Sequence, residues 1–427
     1  MNKRVKSGKA PMTLSSRWLI FAVLGAGYLL VYFHRLCASV TAVDMMRDLG
    51  AGGVLIGMLA AAYFYPYALM QLPAGLLADS FGPRKTITVF FLAAAAGSVL
   101  LGLAPTAFVA IAGRALVGIG VAMLFVATMK VLAEWFAPDE FASMTGILIA
   151  LGGMGSLIAM TPLALLSAAV GWRVSFILVG LFTLVLTFMI WRFVRDRPAE
   201  LGLPSPVVHG PAGEKPIGLR EGVRRVLSEK YFWPLALWFF FDCAIFFTIG
   251  GLWGGPYLMH VYGMTKAGAG NILSMLAVGM IVGSPALSYA SNRIFRGRKP
   301  VLVLTSLGAV AAMTPLVAAT GSLTTAWLYL IFFLLGVFTN AIVVIGFTAA
   351  KELFPVQIAG TSTGLVNLFP FAGGAVFQPL LGHVIEKSGK AGDAFTVAGY
   401  RDGFALLLGC AVIALAASFF VKETMER

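Results

Sequence analysis

Charge is what this sequence has least of. Only 11% of its 427 residues are Asp, Glu, Lys or Arg, against about 25% in an ordinary soluble domain, so a solvated surface of normal polarity is excluded. Acidic residues are scarcest, 18 against 31 basic ones. Three cysteines, Cys37, Cys243 and Cys410, stand in apolar segments at no metal-ligand spacing, so neither a disulfide framework nor a zinc site is indicated. They read as small packing residues, with Cys37 or Cys243 facing a solute as the alternative. The four histidines are scattered, and no hydrolase triad, phosphate loop or metal motif is visible. Neither an enzymatic activity nor a cofactor or metal is expected. The alternating ten-residue patterns of a membrane barrel are nearly absent too.

What fills the chain instead is hydrocarbon: 59% of residues are hydrophobic. About twelve segments are long enough to cross a bilayer at about 20 residues each, beginning near Trp18, Gly53, Lys85, Ala107, Ser143, Val174, Tyr231, Gly268, Val301, Thr324, Ala359 and Gly403. Lipid cannot satisfy exposed backbone amides, so such segments must be helices. An all-α, multi-pass membrane protein is expected.

The net charge of +13 would suggest nucleic acid in a soluble protein, but here its location decides. About 23 of the 31 Lys and Arg fall on one side of the segments, where insertion retains them on the cytoplasmic face. Both termini are therefore expected in the cytoplasm, with the protein in the cytoplasmic membrane. The first residues carry Lys3, Arg4, Lys6 and Lys9, like the start of a signal peptide. The apolar run that follows contains Arg35 and lacks a clear cleavage site, so it reads as a retained first helix.

The stretch from Arg192 to Lys230 is rich in basic residues and carries Pro198, Pro204, Pro206, Pro211 and Pro216, which marks a polar linker. The boundaries read as a six-helix half over 1–194, a linker over 195–230 and a second six-helix half over 231–427. Within the linker, Leu219, Val223, Val226 and Leu227 oppose Arg220, Arg224 and Arg225. That pattern suits a short helix on an anionic membrane face or, equally, a solvated linker helix. An internal repeat supports the split: Glu134, Phe136, Thr145 and Gly146 recur at one constant offset as Glu352, Phe354, Thr363 and Gly364. Both sets span a loop between two apolar segments, as a duplicated unit requires.

The most telling run is Gly75-Leu-Leu-Ala-Asp-Ser-Phe-Gly-Pro-Arg-Lys85, a tight charged turn between the second and third segments. It resembles the signature loop of the major facilitator superfamily, a family of solute transporters. A degraded counterpart, Ser291-Asn-Arg-Ile-Phe-Arg-Gly-Arg-Lys299, keeps the Gly and the basic pair without the Asp. The resemblance covers essentially the whole chain. It implies the family's fold of twelve helices in two pseudo-symmetric halves, a monomer, a small-molecule solute and no nucleic-acid partner. YFHRLCASV around Arg35 and RDRPAELGLP in the linker look like the branch that carries organic anions and sugar phosphates with protons or phosphate. In that branch an arginine on the first helix often grips an anion, and Arg35 sits at the matching place. Sugar-phosphate antiporters add an arginine on the seventh helix, where this chain has Asp242 instead.

An ionisable residue in mid-membrane costs about 2.5 to 3.5 kcal/mol on insertion scales, so it normally has a task or a partner. Arg35 shares a helical face with Tyr28, Tyr32 and Ser39, and its planar fork suits a carboxylate. A structural tie between helices is the alternative. Asp242 lies at the pseudo-symmetric place on the seventh helix, where it would meet Arg35 across a central cavity and exchange a proton as solute binds. A permanent ion pair is the plainer reading. Arg114, Gly118 and Ala122 form a ridge resembling a motif of proton-coupled members, its arginine either structural or proton-linked. Tyr63, Tyr67 and Gln71 make one stripe on the second helix, and Asn367, Phe371 and Gln378 another on the eleventh. With Asn340, Trp253 and Tyr257 they are candidates to line the cavity.

Gly75, Asp79, Gly82, Arg84 and Lys85 are the candidate gate, together with Glu134. In the family the Asp is thought to sit at the N-terminus of helix 11, and the basic residues to meet acids at the end of helix 4. Here that implies Asp79 near Ala359 to Thr363 and Arg84 near Glu134. Gly250 to Pro256, and Pro370, Gly373, Gly374 and Pro379, are candidate hinges. The expected function is proton-coupled import of a small organic anion by alternating access. An exporter working by proton antiport is the first alternative, weakened by the absence of a Gly-Pro pair in helix 5. A transporter-like solute sensor is the second.

Overall fold

The computed structural model describes residues 10–204, 219–355, 358–391 and 394–425. Eleven helical stretches among them are long and apolar enough to cross a membrane. One of these, Ser143–Phe193, runs for 51 residues, more than twice the length of about 20 that one crossing takes. It divides at Gly171, whose φ of 81° lies in the left-handed region that glycine adopts without a Cβ penalty. Among the described residues this division fits the twelve membrane helices that the sequence led us to expect. The first half comprises α1 (10–49, broken at Cys37), α2 (Gly53–Phe81), α3 (Pro83–Leu103), α4 (Ala107–Trp135), α5 (138–170) and α6 (172–193). The second comprises α7 (Phe232–Tyr262), α8 (Lys266–Ile294), α9 (Lys299–Ala318), α10 (Thr325–Glu352), α11 (Ala359–Lys387) and α12 (Val397–Phe420).

The helices alternate in direction, so their ends form two faces, one of which carries the linker. α4, α8, α10 and α12 all enter from the opposite face. Each is started by a threonine, Thr106, Thr265, Thr324 or Thr396, whose hydroxyl accepts a backbone amide three residues on. The two halves repeat one packing scheme. The pairs α1–α5, α2–α4 and α3–α6 are matched by α7–α11, α8–α10 and α9–α12.

The turns on the linker face repeat as well. Between α2 and α3 the chain reverses at Gly82 (φ 84°), and the Arg84 amide donates to Asp196 at the end of α6, 2.7 Å away. Burial raises the Asp196 carboxyl above its ordinary range, and the bond from Arg84 opposes that rise. Between α8 and α9 the Arg298 amide donates in the same way to Glu423 beyond α12, at 2.8 Å. The duplicated loop sequences thus build duplicated caps.

On the face opposite the linker the halves are sealed. The Gly255 amide of α7 donates to Ser39 Oγ of α1 at 3.0 Å, and a Cβ on Gly255 would stand 1.8 Å from the Ser39 carbonyl oxygen. Gly57 of α2 packs on the backbone at Pro379 of α11, and Lys266 of α8 pairs with Asp44 of α1. Glu386, near the end of α11, accepts from the Val54 amide at the start of α2, 3.1 Å away. A carboxylate at a helix N-terminus gains from the unpaired amides there. Glu386→Gln is therefore expected to shift the population about two- to fivefold toward states in which this face opens. Spin-label distances across the face check it, and an unchanged distribution would remove Glu386 from the seal.

On the other face the linker forms a helix over Leu219–Ser228, as its apolar spacing indicated. Val226 is fully buried, Gly222 abuts Thr361 of α11, and Arg220, Arg224 and Arg225 are exposed.

Candidate functional site

Between the two halves lies a cavity of about 290 Å³, lined by α1, α2, α4 and α5 on one side and α7, α8, α10 and α11 on the other. It runs from Arg35 toward the linker face, where Thr145, Lys351 and Thr363 line it near the ends of α5, α10 and α11. The opposite end is closed by the contacts around Ser39, Gly57 and Glu386.

Arg35 is 5% exposed, and its guanidinium is held by rings. Its central carbon lies 4.3 Å from the Tyr32 ring centroid, 4.8 Å from Phe371, 5.4 Å from Tyr67 and 5.7 Å from Phe247. One terminal nitrogen donates to the Tyr67 hydroxyl at 3.3 Å, and Nε has no partner. Among the described residues no carboxylate pairs with it. Four ring faces supply quadrupole attraction, commonly about 0.5 to 2 kcal/mol each, which steadies the cation and leaves its full charge to whatever enters.

The expected meeting of Arg35 with Asp242 does not occur. α7 turns Cys243 and Phe247 to the cavity, and Asp242, one residue back and about 100° around the helix, is fully buried off the cavity. Neither of its carboxylate oxygens has a hydrogen-bond partner. Cys243 itself is buried and lines the cavity.

The other candidate lining residues divide. Tyr32, Tyr67, Asn340 and Asn367 line the cavity with Arg35. Tyr63 stacks behind Tyr67 and donates to the Val31 carbonyl at 3.2 Å. Gln71 accepts from Asn367 at 2.9 Å, joining α2 to α11. Trp253 donates to the Gln378 carbonyl, and Gln378 to the Phe247 carbonyl, so these two tie α7 to α11 away from the cavity. Tyr257 is fully buried and bonds Thr320 at the far end of α7. Arg114 is enclosed within the first half. It donates to the His34 carbonyl at 2.9 Å and touches Cys37 Sγ and the Tyr63 ring. Gly118 lets α4 approach so closely that a Cβ there would stand 2.3 Å from the Tyr63 carbonyl oxygen.

The gate residues correct one expectation. Arg84 does not meet Glu134: its side chain donates to the Trp191 carbonyl near the end of α6, 2.9 Å away, where unpaired helix carbonyls attract a cation. Glu134 is instead 3.9 Å from Arg197. The expected arginine to glutamate contact exists in the second half, where Arg298 binds Glu352 at 2.8 Å. Lys85 is exposed. The surroundings of Gly75 and Gly360 and the side chains of Asp79 and Ala359 lie outside the described residues.

Tyr28, on the face shared with Arg35, lines the cavity too, whereas Phe125, Phe247, Phe347 and Lys351 are lining residues that the sequence pattern did not single out. Lys351 directly precedes Glu352, the repeat partner of Glu134, and that position is its one signal in the sequence; the aromatics look like ordinary core.

Comparisons with known proteins agree with this fold. A family model described as Major Facilitator Superfamily matches residues 24–378. The chain is 25% identical to a probable sulfoacetate transporter of Cupriavidus necator, covering 92% of this chain and 93% of that protein. It is 24% identical to the hexuronate transporter of Bacillus subtilis, over 90% of each. Among solved structures, a bacterial homolog of the human lysosomal transporter Spinster, in an inward-facing and unoccupied conformation, superposes with a TM-score of 0.73. That match covers 97% of both chains at 18% identity, and it shows the fold alone.

Proposed function

Because this chain belongs to the major facilitator superfamily of solute transporters, we propose that it moves a small organic anion across the cytoplasmic membrane together with protons. The observation that carries the proposal is Arg35: a buried guanidinium that lines the central cavity, caged by aromatic rings and paired with no carboxylate. A cation withdrawn from water is costly unless something compensates it, and an entering carboxylate, sulfonate or phosphate would do so through a planar, bidentate contact. Relatives named for sulfoacetate and hexuronate transport support an anion as the solute.

Alternating access fits the asymmetry of the two faces. The halves are sealed opposite the linker, and the cavity reaches toward it. Placing the basic linker face in the cytoplasm makes this the inward-open state. Residues 1–194 and 231–427 then rock about the central site as two bodies, within a single chain acting as a monomer.

Asp242 is assigned the coupling proton. Unpartnered carboxylates inside a membrane mark proton or ion paths, and Asp242 adjoins Cys243, which lines the cavity. The test is uptake of organic anions into proteoliposomes with an inwardly directed proton gradient. Gradient-stimulated uptake supports symport. Anion binding without flux would identify a sensor, and proton-driven extrusion of cationic or neutral amphiphiles an exporter.

A further inference from the structure

We propose that the cavity, read as the anion site of this transporter, selects monoanions carried on an aromatic or otherwise apolar body over polyhydroxylated sugar acids. The chemistry of the walls is divided. Around Arg35 stand the phenols of Tyr28, Tyr32 and Tyr67, which together with the guanidinium offer hydrogen-bond donors to one anionic group. Beyond that head-group site the walls are hydrocarbon: Phe125 of α4, Ile149 of α5, Met280 of α8, and Val343, Val344 and Phe347 of α10.

The polar side chains between them already commit a donor each within the protein. Thr145, Ser284 and Thr348 give their hydroxyl protons to carbonyls one turn back in their own helices, at 2.9, 2.8 and 2.8 Å. Asn367 donates to Gln71 at 2.9 Å, and Asn340 to Met280 Sδ at 3.0 Å. A sugar acid entering here would surrender water at four or five hydroxyls and find partners for few of them. Each unpaired hydroxyl penalises binding about 5- to 150-fold. An aryl or alkyl body loses nothing of that kind and gains contact with seven aromatic rings and the aliphatic wall. Among the described lining residues, Lys351 at the mouth is the single other charge and no acid is present. The approach to the site therefore favours anions without binding a second anionic group beside Arg35.

The experiment measures apparent affinities of the purified full-length protein, by melting-temperature shift, for phenylacetate, benzoate and hexanesulfonate against glucuronate and glucarate. It is repeated with Phe347→Asn and with Arg35→Gln. Tighter binding of the apolar anions by about tenfold or more, narrowed by Phe347→Asn, is the expected result. Equal or tighter binding of glucuronate or glucarate, abolished by Arg35→Gln, would overturn this selectivity while leaving the anion site in place. So would the absence of binding by any apolar anion. Binding by any of these acids that survives Arg35→Gln would instead overturn the anion reading on which the selectivity rests.

Discussion

Arg35→Gln is expected to reduce anion uptake about 100-fold or more, the loss of two charge-assisted hydrogen bonds at roughly 1.5 to 3 kcal/mol each. The same variant is expected to leave the ligand-free melting temperature within about 3 °C of the parent, because two effects oppose each other. Removing the guanidinium forfeits the attraction of Tyr32, Tyr67, Phe247 and Phe371. It also removes a buried cation that no carboxylate offsets. Arg35→Lys keeps the charge without the planar fork, and about a tenfold loss of uptake is expected from it. A structural tie would behave the other way, with stability falling steeply and uptake falling only in proportion to folded protein.

Asp242→Asn is expected to separate movement from coupling. One proton entering with one monoanion is electroneutral, so a pH difference of about one unit supports at most about tenfold accumulation per proton. In the variant that accumulation should vanish, the internal concentration rising only to the external one. Exchange of labelled for unlabelled anion should stay within about threefold of the parent, since Asp242 stands off the cavity, fully buried and with no hydrogen bond to a lining group. Asparagine is close to the same size, so packing among the surrounding apolar residues is retained. Accumulation that persists undiminished in this variant removes Asp242 from the proton path. Loss of exchange together with accumulation would make it a packing or hinge residue of α7.

Most of the fold was legible in the sequence because membrane physics leaves few choices. Lengths of hydrocarbon give the helices, the basic residues mark one side, and the GLLADSFGPRK turn with its degraded copy marks the duplication. Even the Arg298 to Glu352 contact was implicit, since Glu352 is the repeat of Glu134 and the second loop keeps its basic pair. What the sequence did not carry was orientation about the helix axis. α7 is apolar almost all the way round, so nothing in its pattern distinguishes the Cys243 side from the Asp242 side, and a shift of one residue decides which of them meets the cavity. The same uniformity hid Phe247 and Phe347. Tyr67 and Asn367 were legible because polar residues recur at helical spacing on α2 and α11. Gln71 and Gln378 obeyed that spacing too, but they spend their hydrogen bonds joining helices. Competition between ligand and helix contacts for one polar group is a property of the packed state, and the spacing of residues does not reveal it.

The central claim is that an anion occupies the cavity at Arg35. Its most direct test is a melting-temperature screen of the full-length protein against carboxylates, sulfonates, phosphate esters, neutral amphiphiles and organic cations, run in parallel with Arg35→Gln. A ligand present at about a hundred times its Kd stabilises the folded state by roughly 2.7 kcal/mol. The account expects at least one class of anion to do this in the parent and none in the variant. Stabilisation by anions that is equal in both proteins, or by cations and neutral amphiphiles alone, would contradict it.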